Sequence, residues 1–234
     1  MMKLISIFVP IRKNSKRVKN KNIKQIKHHK LGLTEIKISQ IFELLKKIEK
    51  DKVLKQYNYE IVISTDSPVI KKFLKKYPVV RVHERPKHLA KDDCLSELIS
   101  EVPKFCNGDL LLWTHVTSPM FKSEDYYSFL KNFLKTNRKL THDSSFTVDI
   151  NKKYLLNKTG KWISHNHVKK KWPRTQDLRN IYTINSAAFI STRKNYLLHN
   201  DRIGNRPYFY VCKNNSGFDI DTNENFNYYK NILI

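Results

Sequence analysis

The sequence predicts an α/β protein of three layers, with a doubly wound, mostly parallel sheet between two layers of helices. Three observations predict it. Short apolar runs of strand length alternate with longer segments of helical periodicity. The early runs are apolar at nearly every position, as strands buried on both faces are. Polar clusters recur just after these runs, where an open parallel sheet binds its ligands.

Each element has its own signal. Residues 4–9 (Leu-Ile-Ser-Ile-Phe-Val) form the first apolar run. It follows Lys3 and has the look of a leader. It is short, however, it enters Pro10-Ile11-Arg12, and no small-residue cleavage site follows, so it reads as a buried strand. A basic loop comes next. Thr34 is expected to cap a helix on which Ile38, Ile41, Leu44, Leu45 and Ile48 share a face. Residues 59–63 read as the second strand, ending at Ser64-Thr65-Asp66, and 67–76 as a helix with Pro68 in its first turn. Residues 79–82 read as a third strand, 96–105 as a helix, and 109–113 as a fourth strand ending at 114–119. Residues 123–136 place Tyr127, Leu130, Phe133 and Leu134 on one helical face. Right-handed crossovers then wind the helices onto both faces of the sheet.

Beyond about Ser144 the pattern changes. Residues 145–150, 154–156 and 161–164 read as short antiparallel strands of an excursion from the main sheet. Residues 183–191 and 208–212 read as strands returning to it, and 222–232 as a closing helix. The economical organisation is one domain over 1–234 with an inserted lobe at about 145–175.

Composition narrows the function classes. A chain of 234 residues with 40% hydrophobic and 12% aromatic residues is a folded protein, large enough to bury a core without disulfide or metal staples. No apolar run approaches the roughly 20 residues that span a bilayer, so no membrane insertion is expected. Cys94, Cys106 and Cys212 are too few and too scattered for a disulfide framework or a zinc ribbon, and a cytoplasmic location is expected. The net charge of +24 leaves two explanations open: an anionic partner such as a nucleotide, nucleic acid or lipid surface, or lysine-rich coding scattered over helices. Residues 12–30 stand out, with nine basic residues and no acid.

The polar clusters at 12–22, 64–66, 85–92 and 115–119, with Asn185 and 219–221, predict one cleft bordered by basic, hydroxyl, amide and carboxylate groups. Arg12 and Lys16, with Ser15 as a hydroxyl donor, suit an anionic ligand; a solvated basic loop is the plainer alternative. Asp219 and Asp221, at i and i+2, share a face if extended and suit a hard divalent ion; Asp221 also suits a helix cap before Thr222. Asp66 reads mainly as the N-cap of the following helix. Arg85 suits a phosphate or ribose, or a surface pair with Glu84. His115 is either a packed strand-end side chain or a ligand contact. His28-His29 and His165-x-His167 lack a completing ligand pair and read as surface histidines. Trp113, Trp162 and Trp172 read as core or interface residues.

These residues together resemble a known family. Val9-Pro10-Ile11-Arg12-Lys13-Asn14-Ser15-Lys16-Arg17, continuing to Asn20-Lys21-Asn22-Ile23, is similar to the opening signature of the CMP-sialic acid synthetases, or acylneuraminate cytidylyltransferases. The resemblance continues through Ser64-Thr65-Asp66, Arg85-Pro86-x-x-Leu89-Ala90-x-Asp92, Thr117-Ser118-Pro119, Arg174-x-Gln176-Asp177-Leu178, Asn185-Ser186-Ala187 and Asp219-Ile220-Asp221-Thr222. These landmarks cover nearly the whole chain in the family's order.

The resemblance implies a Rossmann-like nucleotidyltransferase fold and transfer of CMP from CTP to a nonulosonic acid, with release of pyrophosphate. It implies that Arg12 and Lys16 touch the phosphates, that Ser15, Asn22, Arg85 and Asp92 lie on the nucleotide side, and that Asp219 and Asp221 bind Mg²⁺. It places His115, Thr117, Ser118, Arg174, Gln176 and Asn185 on the sugar side, with Arg12, Lys16 and Asp221 at the chemistry. It further implies a homodimer joined through the inserted lobe, and no specific nucleic-acid partner. The chain departs from the family pattern at Lys13 and Asn14, where the loop usually carries glycine, at His115, where Gln is common, and at Ser186, which replaces Gly. Within the class, pseudaminic, legionaminic and 3-deoxy-octulosonic acids are alternative substrates, though the Asn20-Lys21-Asn22-Ile23 stretch looks more sialate-like than octulosonate-like. From another class, a non-catalytic basic anion or nucleic-acid binder on the same fold is the rival; the glycine-poor loop and the charge favour it, and the joint presence of Ser15-Lys16, Asn185 and Asp219-x-Asp221 argues against it.

Overall fold

A computed structural model describes residues 3–139 and 141–233. Seven strands form one sheet: β1 (Leu4–Pro10), β2 (Asn58–Thr65), β3 (Val80–Glu84), β4 (Leu110–Thr114), β5 (Ser144–Asn151), β6 (Ile181–Thr192) and β7 (Pro207–Val211), in the order β3-β2-β1-β4-β6-β5-β7. All neighbours pair in parallel except those of β6, which runs antiparallel to both β4 and β5. The helices are α1 (Gly32–Lys50), α2 (Pro68–Leu74), α3 (Leu95–Phe105), α4 (Ser123–Arg138), α5 (Arg193–His199) and α6 (Asn223–Ile232).

The period-two alternation of side chains along the strands divides the core. Ile5, Ile7, Val9, Ile61, Ile63, Leu110 and Leu112 pack with α1, α2, α4 and α6 on one face. Phe8, Val62, Leu111, Trp113 and Phe189 pack on the other with Leu98, Val102 and Tyr196 of α3 and α5. This is the three-layer, mostly parallel architecture that the apolar runs predict.

The differences have local causes. Thr34 does not cap α1: the helix begins earlier, at Gly32, and the Thr34 hydroxyl instead donates to the Asn22 carbonyl at 2.7 Å. Gly32 adopts φ +47, and a Cβ there would sit 2.0 Å from the Lys24 carbonyl oxygen, so only glycine lets the loop close onto the helix start. α2 is capped by Ser67, which accepts from the Ile70 N–H, and not by Asp66. The excursion expected from 145 onward is instead the start of β5, an inner strand of the main sheet paired on both sides. The strands expected at 154–156 and 161–164 reduce to one bridge, Leu156 to Trp162. The Asn157 side chain accepts from the Thr159 and Lys161 N–H groups, so a tight turn consumes the residues that would extend the pairing. α5, which has no counterpart in the sequence reading, follows β6 directly, with the Thr192 hydroxyl as its cap.

Candidate active site

The carboxyl ends of β1, β3 and β4 border a cleft of about 370 Å³, while Ser64, Thr65 and Asp66 at the end of β2, expected on its border, are not among its lining residues. Arg12, Ser15, Arg17, Lys21, Asn22, Arg85, Asp92, His115, Thr117, Ser186, Asp219 and Asp221 are among its lining residues. Polar groups gather here because parallel strands stop at a common level and their following loops turn outward together.

The loop after β1 is held from both ends. The Ile11 N–H donates to the Ser64 carbonyl at 2.9 Å, and the Lys13 N–H donates to the Asp66 carboxylate at 2.6 Å. Asn22 donates to the Arg12 carbonyl at 3.1 Å, while its own side-chain carbonyl oxygen is buried without a partner among the described residues. The Ser15 hydroxyl donates to the Val18 carbonyl and accepts the Lys21 N–H, so it shapes the loop from within. Neither Lys13 nor Asn14 adopts a positive φ, and the missing glycines therefore cost the backbone nothing. Arg12 and Lys16 both ion-pair with Asp92, Lys16 at 2.6 Å. Lys16 first and Arg12 second hold the Asp92 carboxyl well below its ordinary range, at about 2. Arg85 does not pair with Glu84, which Lys71 takes; its guanidinium is buried and donates to the Ser64 hydroxyl and carbonyl, both at 3.1 Å.

Asp219, Ile220 and Asp221 belong to no strand or helix. Ile220 is fully buried and its N–H donates to the Thr117 carbonyl at 2.8 Å, which leaves the flanking carboxylates facing the cleft. Burial raises the Asp219 carboxyl above its usual range, and the neighbouring Asp221 charge adds to this. The Ser118 hydroxyl lies 3.4 Å from Asp219. Asp221 pairs with Arg17 at 2.9 Å and Lys21 at 3.3 Å. It does not cap α6, which has Thr222 as its cap in a reciprocal box with Asn225. Among the described residues no group of three or more His, Cys, Asp and Glu side chains gathers. Two carboxylates beside a cationic loop nevertheless fit Mg²⁺, which takes one or two protein carboxylates and completes its shell with water and phosphate oxygens.

At the opposite wall, β6 bulges. Phe146 faces Phe189 and Val148 faces Ile184, so Asn185 to Ala188 lie opposite the single residue Thr147. The bulge carries Ser186 into the cleft at φ +62, in the left-handed region. Asn185 is not among the lining residues; its Oδ1 accepts the Ala187 N–H, and its amide nitrogen is buried and unpartnered among the described residues. His115 follows β4, with the indole N–H of Trp113 donating to its Nε2 at 2.9 Å. Burial, helped by Arg202, Lys37, Arg85 and Lys21, lowers its pKa to about 3. Beneath this turn Lys37 is fully buried, and its ammonium donates to the Ser118 carbonyl at 3.1 Å and the Tyr126 hydroxyl at 2.8 Å.

A sequence profile described as "Cytidylyltransferase" matches residues 6–232, from within β1 to the end of α6. The chain belongs to the cytidylyltransferase family. It is 28% identical over 180 residues to N-acylneuraminate cytidylyltransferases from Streptococcus agalactiae, of serotypes III and Ia among others, covering 71% of this chain. The match spans 41% of the length of those curated relatives. Among solved structures, CMP:2-keto-3-deoxy-manno-octonic acid synthetase complexed with CTP superposes with a TM-score of 0.61 at 13% identity, covering 98% of each chain. The 4-diphosphocytidyl-2C-methyl-D-erythritol synthase from Anaerococcus prevotii does so with a TM-score of 0.62 at 15% identity, covering 99% of this chain and 98% of that one. These two likenesses show the fold alone.

Of the six residues expected on the sugar side, His115 and Thr117 line the cleft, Asn185 and the buried Ser118 do not, and Arg174 and Gln176 lie away from it. Arg174 and Gln176 sit in the short helical turn Thr175–Asp177 and its cap, between β5 and β6, where Arg174 pairs with Asp177 at 3.1 Å. Lys16 is absent from the lining and reaches the cleft mouth only through Asp92. Conversely, the sequence reading set Arg17 and Lys21 in the 12–22 cluster without giving either a role, and gave no cleft role to Ser186 or Trp113, which line it, or to Lys37 and Arg202 behind it. Lys21 lies within the Asn20-Lys21-Asn22 signature, and that was its available signal. Lys37 and Arg202 carry none, because only packing brings them to the site. No helix among the described residues is long and apolar enough to cross a membrane.

Proposed function

We propose that this cytidylyltransferase-family chain transfers CMP from CTP to a sialic acid-like nonulosonic acid and releases pyrophosphate. The observation that carries the reading is a single cleft in which the cations of the loop after β1 face the paired carboxylates Asp219 and Asp221. In this reading the anomeric hydroxyl of the sugar acid attacks the α-phosphorus. The new oxygen–phosphorus bond forms as the bond to the pyrophosphate oxygen breaks. Arg12, Lys16, Arg17 and Lys21 balance the negative charge on the phosphates, and Arg85 and the free acceptor of Asn22 lie on the nucleotide side. Asp219 and Asp221 would hold Mg²⁺, which when bound offsets charge on the phosphate oxygens. Ser186, Thr117 and His115 border the space left for the sugar acid, and Asn185 lies behind Ser186. The proton of the attacking hydroxyl leaves to water, and no side chain is assigned as general base.

Two lines of support favour a nonulosonic acid. The curated relatives are N-acylneuraminate cytidylyltransferases, and the motifs shared with that family run in order through the whole chain. The same reading gives a homodimer, with the segment between β5 and β6 against a second copy; Leu156, Ile163, Val168 and Trp172 expose apolar surface there.

The test is pyrophosphate release with CTP and Mg²⁺ against a panel of N-acetylneuraminic, legionaminic, pseudaminic and 3-deoxy-octulosonic acids, with ATP and sugar-free controls. Release that needs both CTP and one nonulosonic acid is the expected outcome. Release with the octulosonic acid alone would replace the substrate. A folded protein that binds no CTP would overturn the reading.

A further inference from the structure

Arg202 is a buried cation to which no role has yet been given. It follows α5, is 9% exposed, and has no carboxylate within ion-pairing distance among the described residues. Its guanidinium lies 3.5 Å from the centre of the Phe189 ring and 4.9 Å from that of Trp113, a slot that fixes its plane. From there its Nη1 meets His115 Nε2 at 3.5 Å. That same nitrogen receives the Trp113 indole N–H at 2.9 Å.

Indole N–H and guanidinium are donors only. Two donor-only groups on one imidazole nitrogen require a lone pair there, so a neutral His115 carries its proton on Nδ1. The cationic surroundings from every side disfavour a second proton: Arg202 behind, Lys37 from α1, Arg85 from beyond β3 and Lys21 from the loop after β1.

We infer that Trp113 and Arg202 lock His115 in the Nδ1–H tautomer, making it a fixed hydrogen-bond donor for an acceptor oxygen of the sugar acid, with Arg202 as the positioning residue. The choice of ligand rests on the function proposed above; the lock does not. A donor that cannot become an acceptor favours a carboxylate, carbonyl or ether oxygen at that point and disfavours a group that can only donate. It also removes His115 from the list of proton acceptors for the attacking hydroxyl.

The tautomer is read directly, without substrate, from long-range ¹H–¹⁵N correlations of the histidine rings, with the His115 signals assigned by their loss in His115→Gln. Nδ1 protonated and Nε2 unprotonated from about pH 5.5 to 8 is expected. Arg202→Met keeps an apolar filler between the two rings. It is expected to raise the KM for the sugar acid roughly tenfold and leave the KM for CTP within about twofold. In a His115→Gln background the Arg202→Met change is expected to add nothing, because an amide presents its N–H donor without a tautomer lock. A protonated Nε2, or an Arg202→Met penalty that persists in full in the His115→Gln background, would overturn the proposal. Loss of all sugar-acid turnover in a protein whose His115 still shows Nδ1–H would overturn the function reading and the ligand given to the donor, and is recognisable because the lock is still seen.

Discussion

Lys16 reaches across the mouth of the cleft to Asp92, Nζ to Oδ2 at 2.6 Å, and so holds a cation at the rim. The Lys16 side chain is 81% exposed, so the pair contributes little to folding. Its place in the chemistry is then separable from stability. Lys16→Ala is expected to lower the rate of pyrophosphate release by about 100-fold or more while shifting Tm by less than about 2 °C. Steady-state kinetics beside a thermal melt checks this. A rate within a few-fold of the parent would remove Lys16 from the phosphate site.

Asp66 acts at a distance from the phosphates by fixing the loop that presents the cations. Its carboxylate is the acceptor for the Lys13 N–H at 2.6 Å. Asp66→Ala leaves that N–H without its charged acceptor and is expected to cost about 1–2 kcal/mol in urea unfolding and to raise the KM for CTP roughly tenfold. An unchanged KM for CTP would mean the loop keeps its shape without this anchor.

Ser186 is the place where the missing family glycine does matter. At φ +62 a residue with a Cβ is strained by about 1–2 kcal/mol, and part of the gain from removing that strain is offset by the greater chain entropy of glycine in the unfolded state. Ser186→Gly is therefore expected to stabilise the protein by about 0.5–1 kcal/mol. Denaturant midpoints at constant m-value measure it. The equivalent changes Lys13→Gly and Asn14→Gly, at positions without positive φ, are expected to destabilise slightly.

Lys37 makes stability depend on pH with an unusual sign. Burial lowers its pKa to about 7 from the ordinary lysine value of about 10.5. In that interval the unfolded chain holds a proton at this site that the folded one has released, so the contribution of Lys37 rises with pH between about 7 and 10. Below pH 7 both states are protonated and the burial cost is present in full. Other lysines also titrate at the upper end, so the comparison is with Lys37→Met across pH 6–9.5. The parent is expected to gain stability over this range relative to the variant, by more than about 1 kcal/mol. Parallel curves would show that Lys37 keeps its proton.

Much of the fold is legible in residue order. Buried parallel strands read as continuous apolar runs, and β1, β2 and β4 are such runs, so their positions, the intervening helices and the clusters after them follow from local pattern. The second half is less legible. β5 and β6 pair antiparallel across a bulge, and the residues there alternate no more clearly than those of the turn-rich segment between them. At the site, Arg12, Asn22, Arg85, Asp92, Thr117, Asp219 and Asp221 were marked by type and place, and the cleft assembles them. The two expected sugar contacts Arg174 and Gln176 belong to the segment whose strands do not form, and they lie outside it.

Residue order is enough for the layered α/β class, the family, and the loops that meet at the carboxyl ends of the strands, because these depend on periodicity and on short motifs within one stretch of chain. The tertiary structure alone decided that β5 lies inside the sheet, that a bulge turns Ser186 into the cleft, and that Arg202 meets His115 across 87 residues. Such contacts join side chains whose own neighbours in the chain carry no trace of them. They are set by how the helices and strands pack, which brings a buried cation against two aromatic rings.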